Sequence, residues 1–221
     1  MSISKNTIKF LKDLKKNNNR EWFNDNKSRY NDAKDDFTNF VAELIPGIAK
    51  FDKEIKDLDP KKCVFRIYRD VRFSKNKDPY KTNLGAHMLP GGRKTEHSRA
   101  GYYIHLEPGK SILAGGPYMP PGPWINAIRS EIDYNTKEFK KIINAASFKK
   151  YFGEIEGDKL KTAPKGYPKD HPEIELLKFK SYLAVHNLKD KDVVDAKFKK
   201  HAMTVFKAMQ PFDKFLNRST D

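Results

Sequence analysis

The chain lacks most of the features that announce a reaction. Cys63 is its only cysteine among 221 residues. That excludes an intrachain disulfide and any cysteine-based zinc cluster. Beside an apolar run, Cys63 reads as a small buried residue and not as a nucleophile. No apolar run approaches the roughly 20 residues of a membrane helix, so no membrane partner is expected. The opening MSISKNTIKFLKDL has neither an h-region nor a small-residue cleavage site, so no signal peptide is expected and the default location is cytoplasmic.

The usual catalytic signatures are missing too. The run Gly91-Gly92-Arg93-Lys94-Thr95 lacks the spacing of a phosphate-binding GxxxxGK[ST] loop. No GxGxxG follows a strand, and neither HExxH nor GxSxG occurs. His87, His97, His105, His171, His186 and His201 show no paired helical spacing, so no metal site is expected and no cofactor is indicated. None of the recognised nucleic-acid modules is evident. No internal repeat, low-complexity tract or linker divides the chain.

What the chain does have is positive charge and aromatic rings. The net charge of +15 favours anionic partners. Much of that excess is lysine on polar helix faces, such as Lys137, Lys140, Lys149 and Lys197, for which solvent alone accounts. Hydrophobic residues make up only 38% and aromatics 12%. A core of rings remains large, because each buries roughly 150–250 Å².

Periodicity orders the chain. Residues 4–16 are expected as a helix capped by Ser4, with Ile8, Leu11 and Leu14 on one stripe. Asn19 is expected to cap one long helix that Pro46-Gly47 ends or kinks. The period then changes to two. In 64–73, Phe65, Ile67, Arg69, Val71 and Phe73 alternate with Val64, Arg66, Tyr68, Asp70 and Arg72, the pattern of a strand. Tyr102–Leu106 alternates likewise, Pro108-Gly109 marks a turn, and Ser111–Ala114 returns, so 101–115 reads as a hairpin. Helices are expected from Pro123, over 136–146, from Ser147 through Phe152, and over 191–216 with a kink at Pro211. A helical turn is expected over 173–178 and a strand over 181–185. Strands in the middle with helices at both ends predict one α+β domain over 1–221, its central, mainly antiparallel sheet packed by the N-terminal and C-terminal helices.

Residues 64–81, VFRIYRDVRFSKNKDPYK, carry the most information. Between Lys61 and Lys81 lie eight cationic side chains, opposed only by Asp70 and Asp78. Arg66, Tyr68, Asp70 and Arg72 share one face, where two arginines flanking a carboxylate form a fork for phosphate. Lys75, Lys77 and Lys81 extend the field as point charges, and Tyr68 or Tyr80 supplies a hydroxyl. Arg69 interrupts the apolar face. A guanidinium keeps its charge, so Arg69 demands either a structural carboxylate partner or a ligand. Arg129 follows the GGPYMPPG loop (115–122) at a helix start, a ready anion site; ordinary loop glycines and prolines are the alternative. Lys165 lies either on the rim of the same site or on a simple loop tip. Candidate acid–base groups are His105, with Tyr103 and Glu107 beside it on the hairpin, then Tyr80, and Asp70, which also orients the arginines.

NNNREWF (17–23), FRIYRDVRFSKNKDPYKTNLG (65–85), the Gly101–Leu106 strand with its GGPY loop, and LKTAPKGYPKDHPE (160–173) together resemble the DUF2461 family of uncharacterised proteins. The resemblance spans nearly the whole chain. It implies one domain and a single pocket shared by the Arg-rich strand and the two loops, and it brings no activity.

Two functions are therefore expected as alternatives. The first is binding of a small anionic, phosphate-bearing ligand, with or without catalysis, by Arg66, Tyr68, Arg69, Arg72, Lys75, Lys77, Tyr80 and Lys81, joined by Arg129 and Lys165. The second is nucleic-acid binding over a continuous basic surface. An ion-pair network without a ligand is the third possibility. Nothing in the sequence indicates an oligomeric state.

Overall fold

The structure, a computed structural model, describes residues 2–220. The N-terminal helix α1 (Lys5–Lys16) starts where expected, with the Ser4 hydroxyl accepting from the Asn6 amide. Asn19 caps α2 (Arg20–Asp25) by accepting from the Trp22 amide at 2.9 Å. The single long helix expected from there is divided. Asn26 donates through Nδ2 to the Trp22 carbonyl and accepts from Arg29, so its amide group competes with the helical ladder and separates α2 from α3 (Lys27–Ile48). Pro46 does not end α3, which runs on to Ile48.

The expected strand over 64–73 is not a regular one. After the short α4 (Pro60–Cys63), only Val64 and Tyr68 make isolated bridges, to Ala86 and Tyr80. Three backbone bonds lay the segment along 79–86: Phe65 N to Gly85 O, Lys81 N to Ile67 O, and Arg69 N to Pro79 O. The reason is burial. Cys63, Val64 and Ile67 reach the core, but Phe73 is 95% exposed, so a longer strand would have nothing to cover.

The edge strand is β1 (Leu84–Met88), followed by β2 (Tyr102–Leu106) and β3 (Ser111–Gly115) as the expected hairpin. The helices α5 (Gly122–Tyr134), α6 (Thr136–Ile143), α7 (Ala146–Phe152) and α8 (Ile174–Leu177) then intervene. The strand β4 (Ala184–Leu188) lies three residues beyond its expected place. Residues 182–183 pair elsewhere, Leu183 with Glu156 and the Tyr182 amide with the Pro117 carbonyl. Last come α9 (Asp190–Val193) and α10 (Phe198–Asn217), which contains Pro211. The sheet runs β1-β2-β3-β4 with every neighbour antiparallel, an α+β fold as expected. No helix among the described residues is long and apolar enough to cross a membrane.

Strand alternation divides this sheet into two faces. Ala86, Met88, Tyr102, Ile104, Leu106, Leu113 and Ala184 are buried on the helix side, where α3 and α10 supply Phe37, Phe40, Leu44, Val205, Phe206 and Met209. Rings dominate the contacts: Phe40 stacks on Phe198 at 4.9 Å, and Tyr102 meets Phe206 edge-on at 5.4 Å. Deleting one such ring, as in Phe206→Ala, costs roughly 3–5 kcal/mol.

One carboxyl is trapped in this core. Asp213 of α10 packs under Gly115, where a Cβ would stand 2.8 Å from its Oδ2 and 2.2 Å from the sulfur of Met209, so only glycine fits. Neither oxygen of Asp213 has a hydrogen-bond partner among the described residues. Burial, reinforced by the charge of Asp52, pushes the carboxyl well above its ordinary 3.8, and the Gly116 amide, near the carboxyl but outside hydrogen-bond geometry, opposes this least of the three. The folded chain holds a proton that the unfolded chain releases above that value. Asp213 therefore destabilises the fold progressively as pH rises. Asp213→Asn is expected to raise the melting temperature at neutral and alkaline pH, the gain shrinking towards pH 4, as thermal unfolding across pH would show.

Candidate functional site

The face of the sheet away from α3 and α10 carries the residues between the buried ones. Register aligns them in two rows. His87, Tyr103, Ala114 and Val185 form the first, and Gly85, His105, Ile112 and Asn187 the second. Loops wall this face. Phe65, Lys81 and Asn83 stand on the β1 side, and Gly116, Tyr118 and Leu183 stand on the other. They enclose a cavity of about 470 Å³, within the range of small-ligand sites. Rings and branched apolar side chains form most of its wall, with Lys81, Asn83 and His87 as its polar groups. Larger grooves near α4 (about 650 Å³) and between α1 and α3 (about 620 Å³) are walled mainly by charged and polar side chains of helix and loop surfaces.

Within the cavity wall, Phe65 meets Tyr103 edge-on at 6.3 Å, and the Lys81 ammonium lies 5.4 Å from the Phe65 ring. Behind Tyr103 runs a chain of hydrogen bonds along alternate residues of β2 and on to Glu107 just past its end. The Tyr103 hydroxyl is 2.9 Å from His105 Nδ1, and His105 Nε2 is 3.2 Å from Glu107 Oε2. Burial, reinforced by the Glu107 charge, pushes the Tyr103 hydroxyl up to about 12. Gly85 makes room for this hydroxyl: a Cβ there would lie 2.9 Å from it and 3.4 Å from Phe65. The glycine of the TNLG run is thus part of the site's geometry.

A family model described as "Conserved hypothetical protein (DUF2461)" matches residues 6–215. The chain belongs to the DUF2461 family. No curated protein and no solved structure matches it. The DUF2461 assignment covers every element from α1 to β4 and most of α10, so the cavity lies wholly inside the family's region.

The DUF2461 chain spreads its expected anion-binding residues widely. Lys81 alone of that set lines the cavity. Arg66, Asp70, Arg72, Lys75 and Lys77 are exposed on the 66–77 loop. Asp70 holds Arg72 through Nε and Nη2 at 3.0 and 2.7 Å, lowering the carboxyl's pKa, with Arg66 adding a smaller effect. Lys77 donates to the Val71 carbonyl at 3.0 Å. Arg69 is half-buried within the same loop, bonded to Ser74 at 3.4 Å and 4.0 Å from Asp78. Tyr68 and Tyr80 turn towards the N-terminal helices. Tyr80 stacks on Phe23 at 3.9 Å, its backbone held on both sides by the Asn18 amide group, while Tyr68 accepts from Lys27.

Arg129 is buried on α5, where it donates to the carbonyls of Leu177 and Phe179 and to Asn126. Lys165 is exposed on a loop tied to α5 by the contact of His171 with Asp133. These residues do not converge on one pocket. Of the acid–base candidates, His105 stands on the cavity's face of the sheet, behind Tyr103 and not in the wall itself, and Tyr80 and Asp70 stand away from it. The residues the sequence did not single out are Gly85, His87, Asn83, Ile112 and Val185; only the order and register of the strands brings them together, with β1 on one side of the hairpin and β4 on the other. Arg129→Ala is expected to destabilise the DUF2461 chain by roughly 1–3 kcal/mol for each carbonyl left bare, measured by urea unfolding.

Proposed function

We propose that the protein binds a small anionic ligand with an aromatic or apolar body in the cavity on the outer face of the sheet. The observation that carries this reading is the composition of the wall. Phe65, Tyr103, Ile112, Tyr118 and Val185 offer rings and branched carbons, and Lys81 offers a cation at their edge. Such a wall suits a phosphate or carboxylate attached to a ring, and it suits free inorganic phosphate poorly. The exposed cations of the 66–77 loop act as an outer field that raises local anion concentration and weakens with salt. A cytoplasmic setting, with its phosphorylated metabolites, accords with this reading.

Phenyl phosphate is the probe. It is expected to raise the melting temperature and to bind saturably in calorimetry. Lys81→Met is expected to weaken binding about tenfold or more, the scale of a charge-assisted hydrogen bond. Ile112→Trp, which fills the cavity, is expected to abolish it, whereas Arg72→Ala, outside the wall, keeps affinity within about threefold. No saturable binding, or loss of binding only in Arg72→Ala, would remove this reading.

A second reading has its own observation. Arg66, Arg72, Lys75 and Lys77 are exposed on one loop with Tyr68 and the almost fully exposed Phe73, whose ring the Arg72 guanidinium faces at 5.8 Å, a pattern of cations and rings that suits single-stranded nucleic acid. It requires affinity for an oligonucleotide to fall steeply with salt. Flat affinity from low to high salt excludes it.

A further inference from the structure

Tyr103 and His105 of β2 and Glu107 just beyond its end alternate along one face, and donor chemistry assigns a direction to their hydrogen bonds. A carboxylate only accepts, so His105 Nε2 carries the hydrogen that meets Glu107. In the neutral imidazole Nδ1 is then the acceptor, and the Tyr103 hydroxyl donates to it. That spends the only hydrogen of Tyr103 and leaves its oxygen as an acceptor. The far end of the chain is anchored. Glu107 Oε1 accepts from Thr82 at 3.4 Å, Lys15 of α1 stands 3.8 Å away, and the Ser111 hydroxyl bonds both the amide and the carbonyl of Glu107. At the near end, Tyr103 lines the cavity, with His87 edge-on at 5.8 Å and Lys81 in the same wall.

We propose that Tyr103, His105 and Glu107 form a proton relay that makes the cavity a general-base site for ligands bearing an acidic hydroxyl. The inference rests on the cavity reading above. The ligand's O–H bond breaks and its proton bonds to the Tyr103 oxygen. The original Tyr103 O–H bond breaks as its proton bonds to His105 Nδ1. The imidazolium so formed is stabilised by Glu107, and the ligand oxyanion by Lys81. One proton has moved from ligand to His105, and no oxidant or second reactant is needed. Burial keeps Tyr103 in its neutral phenol form, so it passes a proton on and does not rest as an anion. Phenols and enolisable carbonyl compounds are the substrate class, because their oxyanions are the species that Lys81 would hold.

The test uses 4-nitrophenol, whose phenolate is coloured, and the full chain. Bound to the wild type, its ionisation is expected to shift towards phenolate about tenfold or more relative to free solution, one unit of pH midpoint. Tyr103→Phe and His105→Gln are expected to bind it, by calorimetry, with the shift largely abolished. His97→Asn should retain the shift, since His97 is exposed on the loop before β2 and is no part of the cavity wall. An equal shift in wild type, Tyr103→Phe and His105→Gln would assign the effect to Lys81 and overturn the relay while leaving the cavity reading intact. Loss of the shift in His97→Asn alone would also overturn it. If neither 4-nitrophenol nor phenyl phosphate binds saturably, the cavity reading fails and the relay fails with it.

Discussion

A four-stranded antiparallel sheet has two faces, and in this protein the packing of α3 and α10 commits one of them to the core. Everything at the candidate site follows from that commitment. Because Tyr102, Ile104 and Leu106 must face the helices, Tyr103, His105 and Glu107 must face away. A slip of one residue would exchange the two sets and bury a histidine and a carboxylate among phenylalanines. The apolar packing on one side thus sets the polar chemistry on the other. The same register brings His87 opposite Tyr103, and Gly85 opposite His105.

Charge is distributed on two scales. The net +15 is mostly a property of exposed lysines and of the 66–77 loop, where solvent and salt screen each pair. Arg72 and Asp70 form a well-shaped pair there, but in water such pairs contribute little. On the sheet face, fewer charges count for more. Glu107 is largely shielded and its neighbours are hydrogen-bonded in sequence, so its field acts on Tyr103 at short range and in a lower dielectric. The most basic segment and the most organised polar chain are therefore different places, and Lys81 is the cation of that segment that reaches the cavity.

The legible parts of this chain were those in which local pattern and tertiary burial agree. Ser4 caps α1 and the 101–115 alternation makes a hairpin because one stripe or one face of each enters the core. The 64–73 alternation is equally clean, yet it forms no strand. It supplies bridges at Val64 and Tyr68 and then parts from the sheet, and nothing local reveals that Phe73 stays exposed to solvent. The strand β1, LGAHM, is invisible to alternation because its glycine and alanine are small for packing reasons: Gly85 yields to the Tyr103 hydroxyl. His105 was recognisable as an acid–base candidate from its neighbours Tyr103 and Glu107. Its cavity was not, since Lys81, Ile112 and Val185 meet only through strand order. Arg129 was read as a ligand group from its helix start, whereas two carbonyls of the 177–179 segment occupy it.

The central claim is that the outer sheet face, and not the arginine-rich loop, is where an anion is held. A crystal structure of the protein with phenyl phosphate addresses it directly. The account predicts the ring among Phe65, Ile112 and Tyr118, the phosphate beside Lys81, and the Tyr103–His105–Glu107 chain intact. Phosphate held between Arg66 and Arg72, with the sheet-face cavity empty, would contradict it.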